Sequence, residues 1–432
     1  MDSFIKNNKL FIQGVNQLDK EENPTGKIRC MLKNYLELDN VNFLFGTGSS
    51  IIIGARSIQS IPQAIEETIK VDNLLYDEFI TIIKTLQNES TDIKRQSWKD
   101  NDGNDICGEI DYSLEKLLNY LHAIDFIQGH SANAITYKYI GPLIKIIKKE
   151  LFKLCDLNSQ PINELLVSDI AKKHLNENRY YYHESFTKKV LQRSLNLKRA
   201  NIFTTNYDLA FDIAFDKLGV AYINGFSGFH KRCFKPETFE YDIFFPGSTT
   251  QGKVQRIEKV LRYFKLHGSL TWVSRDPSAN CVYGIEELPI ELIRKNEDFE
   301  SLMIYPTTVK KTYTLDYPYS ELFRQFSASI AQPQSVLICF GYSFSDEHIN
   351  DLIYQALTIP SFTLIIVDFK GCNGSTEIKR LMELNDPRII IMQGPQLGDF
   401  PFFVEQLMPD LIEIDSNSKI AETMQKLYPQ KD

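Results

Sequence analysis

Val41-Asn42-Phe43-Leu44-Phe45-Gly46-Thr47-Gly48-Ser49-Ser50 is a short apolar run that stops in a glycine-rich turn. A run this short and continuous, without polar alternation, reads as a strand buried on both faces. Runs of the same kind recur at Ala200 to Thr204, Ala221 to Asn224, Tyr263 to Leu266, Met303 to Tyr305, Ser335 to Phe340, Phe362 to Val367 and Arg388 to Met392, with helical patterns between them. Strands alternating with helices predict an α/β fold, a Rossmann-like doubly wound parallel sheet with crossover helices.

The interval from about Ile61 to Leu197 carries almost no strand signal and reads as a large helical insertion. Within it Ile144, Ile147, Leu151 and Leu154 fall on one helical face, and Lys145, Lys148, Lys149 and Lys153 lie on the others as a solvated surface, with a phosphate-binding patch as the other reading. Between Gln87 and Glu109 the composition turns to Asn, Ser, Asp, Lys and Gly, the signature of a loop.

The 432 residues suffice for one large domain or for two to three of about 150 residues each. Hydrophobic residues make 43%, aromatics 12% and charged residues 24%, which excludes collagen-like, coiled-coil and wholly disordered chains. A net charge of −8 offers no global attraction to nucleic acid or anionic lipid. The apolar stretches fall short of the roughly 20 residues of a membrane helix, and Met1 to Asn8 lacks the apolar core of a secretory signal, so a cytoplasmic protein is expected. Seven cysteines stand singly with no CxxC, which suits reduced thiols and argues against a zinc ribbon. No His/Cys/Asp cluster has ligand spacing, so no metal is expected.

Four strand ends carry chemistry. Gly46-Thr47-Gly48-Ser49-Ser50 follows the first strand, where Gly lets a backbone approach a pyrophosphate and a following helix N-terminus offers free amides. A plain tight turn is the other reading, and the G-x-G-x-x-G spacing of ordinary dehydrogenases is absent because Ile51 holds the third position. Thr204-Thr205-Asn206-Tyr207-Asp208 ends the second strand, either as a capping cluster with Asp208 as N-cap or as a set that holds ribose hydroxyls and a water. Leu266-His267-Gly268-Ser269 places a histidine at a third strand end, the side chain best poised for proton transfer near neutral pH. The other six histidines, His122, His130, His174, His183, His230 and His348, have no such setting. Gly341-Tyr342-Ser343-Phe344-Ser345-Asp346 is the fourth cluster, with Ser345 or Asp346 as a helix cap. Asp368, at the tip of a further strand, suits ribose or adenine hydrogen bonds and equally a turn cap.

In this order, G-T-G-S-S, T-T-N-Y-D, L-H-G-S and G-Y-S-F-S-D, the clusters resemble the sirtuin superfamily over about Val41 to Ile58 and Lys198 to Gly394. The division expected from this is an N-terminal segment 1–40, a core of 41–60 and 198–400, the insertion 61–197 and a C-terminal helical segment 401–432. The two CxxC pairs of the deacylases' zinc module are missing, since Cys281 stands alone between Trp272 and Tyr305, and with them the second wall of an acyl-peptide channel. Ile51-Ile52-Ile53-Gly54-Ala55-Arg56 replaces the Pro-Asp-Phe-Arg cofactor segment. These departures, with Tyr222 to Gly228, resemble the bacterial sirtuin-like NAD hydrolases of antiphage defence.

The resemblance implies NAD as substrate without zinc, Asn206 and His267 as the catalytic pair, and Gly46, Thr47, Gly48, Ser49, Ser50, Thr205, Asp208, Gly341, Tyr342, Ser343 and Asp368 as dinucleotide-binding residues. It implies an NAD glycohydrolase that depletes cellular NAD, works as a homo-oligomer and is restrained by a co-encoded partner such as a HerA-type ATPase or an Argonaute-like protein. A deacylase or ADP-ribosyltransferase, and a non-catalytic NAD or ADP-ribose sensor, are the alternatives.

Overall fold

The computed structural model describes residues 2–19, 21–56, 61–89, 114–130, 137–163, 169–245, 255–296, 299, 301–303 and 317–411. Its strands, in chain order, are β1 (Lys9–Ile12), β2 (Val15–Asn16), β3 (Asn40–Phe45), β4 (Asn201–Thr204), β5 (Ala221–Ile223), β6 (Phe226–Ser227), β7 (Arg232–Phe234), β8 (Phe244–Phe245), β9 (Gln255–Arg256), β10 (Val260–Lys265), β11 (Gly268–Ser274), β12 (Ile285–Glu287), β13 (Ser301–Met303), β14 (Ser335–Phe340), β15 (Thr363–Asp368) and β16 (Ile389–Gln393).

Nine of them form one sheet in the order β2-β1-β16-β15-β14-β3-β4-β10-β5. From β16 to β5 every pairing is parallel, and the N-terminal hairpin β1-β2 adds an antiparallel edge. The α/β sheet read from the apolar runs is therefore present, and both its faces are covered. Side chains alternate across a strand, so Phe43 and Phe45 enter one core with Ile28, Leu32 and Leu36 of the helix Pro24–Leu36 and Phe186 of the helix Tyr181–Val190. Leu44 enters the opposite core with Phe203, Phe264 and Leu337, against Leu322 and Phe326 of the helix Tyr319–Ile330. Two-sided burial is why these strands read as continuous apolar runs.

Among the described residues the long interval carries helices and no strand, with α-helices Ile61–Ile69, Asn73–Glu89, Leu114–His130, Ile140–Cys155, Asp169–Glu177 and Tyr181–Val190. Ile144, Ile147, Leu151 and Leu154 are buried, as their spacing predicts; of the four lysines expected on a solvated face, Lys145 and Lys153 are exposed, whereas Lys148 and Lys149 are half-buried. The first four helices build a separate apolar cluster that also takes Leu270 and Val273 of β11. The last two return to the core of the main sheet. The loop expected from Gln87 begins later, since helix persists to Glu89, and residues 90–109 lie outside the described ones.

Three expectations need correction. The run Met303 to Tyr305 reads as a strand of the parallel sheet, but Ser301–Met303 pairs antiparallel with β11 in a second sheet of order β13-β11-β12-β7-β6, and residues 304 and 305 lie outside the described ones. That second sheet includes β11, which starts at Gly268 directly after His267, an element the sequence reading did not foresee. Its strands are short and mixed in polarity, so they leave no apolar run to read. Lastly, no α-helix follows Gly46 directly; the chain makes two single 3₁₀ turns, Thr47–Ser49 and Ile51–Ile53, and a left-handed Gly54. Three β-branched residues in succession disfavour a helix at that point.

Candidate active site

Parallel register brings the four clusters together. Phe340 lies opposite Phe45, Phe45 opposite Thr204, and Thr204 opposite Lys265, so four adjacent strands end at one level. The chain leaves these strands through Gly341, Gly46, Thr205 and Leu266-His267 respectively. Asp368 ends β15, one strand further out.

The first and fourth clusters touch through their glycines. Gly46 N donates to Phe340 O at 3.0 Å and Gly48 N to Gly341 O at 3.1 Å. A Cβ on Gly46 would lie 2.5 Å from Gly341 O, and one on Gly48 2.5 Å from Gly341 Cα. Gly341 also has φ +58°, a left-handed backbone that favours glycine. The glycine content of these turns therefore has a packing cause as well as any ligand cause.

Asn206 is buried between the two halves. Its Nδ2 donates to Gly46 O at 3.1 Å, Ser49 Oγ at 3.3 Å and Ser50 Oγ at 3.4 Å, and its backbone N approaches Thr204 Oγ1 at 3.0 Å. Its Oδ1 is buried and has no hydrogen-bond partner among the described residues. A buried amide acceptor without a donor costs about 1–3 kcal/mol, and a ribose hydroxyl or a water would satisfy it. Thr205, half-buried, donates its N to Phe45 O.

Asp208 is not the N-cap of the helix Ala210–Leu218; Leu209 is, and the Asp208 carboxylate instead accepts from Ala210 N at 3.0 Å and from Ser50. Burial raises its pKa, and Lys265 opposes that shift. Lys265 is itself 3% exposed, with Nζ on Asp208 O at 2.5 Å, Asp212 Oδ2 at 3.1 Å and Tyr207 O at 3.4 Å. This lysine, invisible as a motif because it sits inside an apolar strand, props the loop that carries Asn206.

His267 is 8% exposed, and its Nε2 lies 3.9 Å from Asp346 Oδ2. Asp346 is the N-cap residue of the helix Glu347–Leu357, but its side chain makes no cap bond; it accepts from Tyr342 Oη at 3.4 Å. An acid facing the histidine was hidden in the sequence behind its cap position. His348 has a setting after all, its ring 6.0 Å from that of His267. Ser343 is exposed, its Oγ 2.9 Å from Ser345 Oγ. Asp368 accepts from Lys370 N and Gly371 N, which closes a turn.

The carboxyl ends of adjacent parallel strands, where these polar clusters lie, are where open α/β sheets bind their ligands. Residues 200–364 match the family model of the SIR2-like domain, a stretch that holds Asn206, His267 and Gly341 to Asp346. This match is consistent with the sirtuin-like superfamily and supports a sirtuin-type, NAD-related function. No curated protein matches the chain. Among the described residues, no helix is long and apolar enough to cross a membrane.

Proposed function

We propose that the protein is an NAD glycohydrolase. The observation that carries this reading is the placement of Asn206, with its unsatisfied buried Oδ1, and of His267, with Asp346 Oδ2 3.9 Å away, just beyond the ends of two neighbouring strands. Hydrolysis breaks the bond from ribose C1′ to the nicotinamide nitrogen, whose electron pair leaves with the neutral ring, and forms a bond from C1′ to water. Asn206 orients the water or the ribose hydroxyls. His267 accepts the proton that the water gives up, and Asp346 steadies the resulting imidazolium. The SIR2-like match and the glycine turn against Gly341 support placing the dinucleotide across Gly46 to Ser50, Thr205, Asp208 and Gly341 to Ser343, with Asp368 at the margin.

The test is chromatography of nicotinamide and ADP-ribose from purified protein and NAD. Asn206→Ala and His267→Ala are each expected to lower turnover by at least about 10²-fold with the fold intact, and full activity in both would refute the reading. A deacylase or ADP-ribosyltransferase is favoured by one feature, the small antiparallel sheet whose strand β11 begins at Gly268, directly after His267. Dependence of nicotinamide release on an acyl-lysine peptide separates the two. On the resemblance, the protein acts in the cytoplasm as an NAD-depleting effector of antiphage defence, as a homo-oligomer held idle by a co-encoded partner such as a HerA-type ATPase. Activity that appears only when the ATPase is added supports this.

A further inference from the structure

Away from the strand ends, the second sheet gathers three potential ligands that are far apart in the chain. Cys233 on β7 and Glu286 on β12 are direct cross-strand partners. Cys281 sits in the β11–β12 connection, where backbone bonds between Ser278 and Cys281 and from Gly284 N to Cys281 O hold the turn over them. All three side chains are buried, at 4%, 7% and 1% exposure, and the two sulfurs and a carboxylate oxygen lie within 4.8 Å of one another. The Cys281 thiol donates to Ile285 O at 3.3 Å.

Tetrahedral coordination with metal–sulfur bonds of about 2.3 Å puts ligand atoms about 3.7 Å apart, so closing this set needs movements of about 1 Å or less. The set also already attracts a cation: Lys231 Nζ lies 2.5 Å from Glu286 Oε1 on a side chain that is 59% exposed. Releasing such a lysine to water is cheap. We propose that Cys233, Cys281 and Glu286 form a site for one thiophilic divalent cation of the zinc class, with water as the fourth ligand and Lys231 displaced. On binding, each thiol proton passes to solvent and the metal takes its place. The sequence hides the site because its cysteines lie on either side of the β8-β9 hairpin and of strands β10 and β11, with no CxxC. The proposal is independent of NAD hydrolysis, because metal binding is read directly.

The experiment titrates the reduced full-length protein with Zn²⁺ against a chromophoric chelator, and in parallel with Co²⁺ by absorption spectroscopy. One equivalent per chain is expected, with a thiolate-to-cobalt charge-transfer band in the wild-type protein. Cys233→Ser and Cys281→Ser are expected to weaken binding at least 10-fold, and Cys30→Ser, at an exposed cysteine, to leave it unchanged. Lys231→Met removes the competitor for Glu286 and is expected to tighten binding several-fold. No stoichiometric binding, binding without the charge-transfer band, or equal affinity in the Cys281→Ser protein would overturn the proposal. The wild-type cobalt spectrum decides the matter even where a cysteine variant fails to fold.

Discussion

Replacing Gly48 by alanine separates two roles for the glycine-rich turn, backbone packing and ligand approach. A Cβ at position 48 would stand 2.5 Å from Gly341 Cα and 3.1 Å from Gly341 O, where carbon atoms need about 3.5 Å. The contact is backbone on backbone, so no side chain can rotate away, and the two turns must part by about 1 Å. That movement strains the bonds from Gly48 N to Gly341 O and from Gly46 N to Phe340 O, and overpacking of this kind costs about 1–3 kcal/mol. It also shifts Gly46 O and Ser49 Oγ, which hold Asn206 Nδ2 at 3.1 and 3.3 Å. Misplacing a catalytic group by about 1 Å costs about 10²-fold in rate. Gly48→Ala is therefore expected to melt at a lower temperature and to release nicotinamide about 10²-fold more slowly. Thr47→Ala, in the same turn but with no added atom, should keep wild-type stability. Differential scanning fluorimetry and the nicotinamide assay read both effects. A Gly48→Ala protein that melts with wild type yet no longer binds NAD would refute the packing argument and assign the glycine to the ligand instead.

The buried Lys265 gives a second outcome. Lys265→Met strands the Asp212 carboxylate and is expected to cost about 3–5 kcal/mol, with Asp212→Asn in the same chain recovering part of it; a double-mutant cycle in urea measures the coupling, and strict additivity would refute it. His183, in a ring of Phe211 and Phe400, has its pKa lowered by burial to about 3. Below its unfolded value of about 6.5 the unfolded chain binds the extra proton, so stability falls as the pH falls and is about 2 kcal/mol lower at pH 5. In the His183→Phe protein that loss between pH 7 and 5 should vanish from the urea midpoints, and an unchanged slope would sink the assignment.

Strands whose burial is two-sided were legible, because β3, β14, β15 and β16 are apolar at nearly every position. Strands that pack one face or make a small antiparallel sheet were not: Gly268–Ser274 alternates Ser, Leu, Thr, Trp, Val and Ser, and its β-pattern is masked by the His-Gly motif beside it. Asn206 and His267 stood out by sitting at strand ends. Lys265, Asp346 and His348 did not, for each had a bland local account as a strand residue, a cap and a helix residue, and only their approach across the fold gives them meaning.

The register of the sheet and the loop after Thr204 together fix how the site is held. Parallel pairing sets the level at which the four strands end, but Asn206 lies two residues beyond β4, where the ladder no longer constrains it. Three other contacts take over. Tyr207 O accepts from Leu270 N of β11 at 3.2 Å and lies 3.4 Å from Lys265 Nζ, and the side chains of Tyr207 and Leu209 pack against the cluster built by the helical insertion. The loop that aims Asn206 is thus clamped by the main sheet, the second sheet and the insertion at once. A packed cluster transmits small displacements rather than absorbing them, so Tyr207 and Leu209 tie the position of Asn206 to the packing of the helices in the insertion.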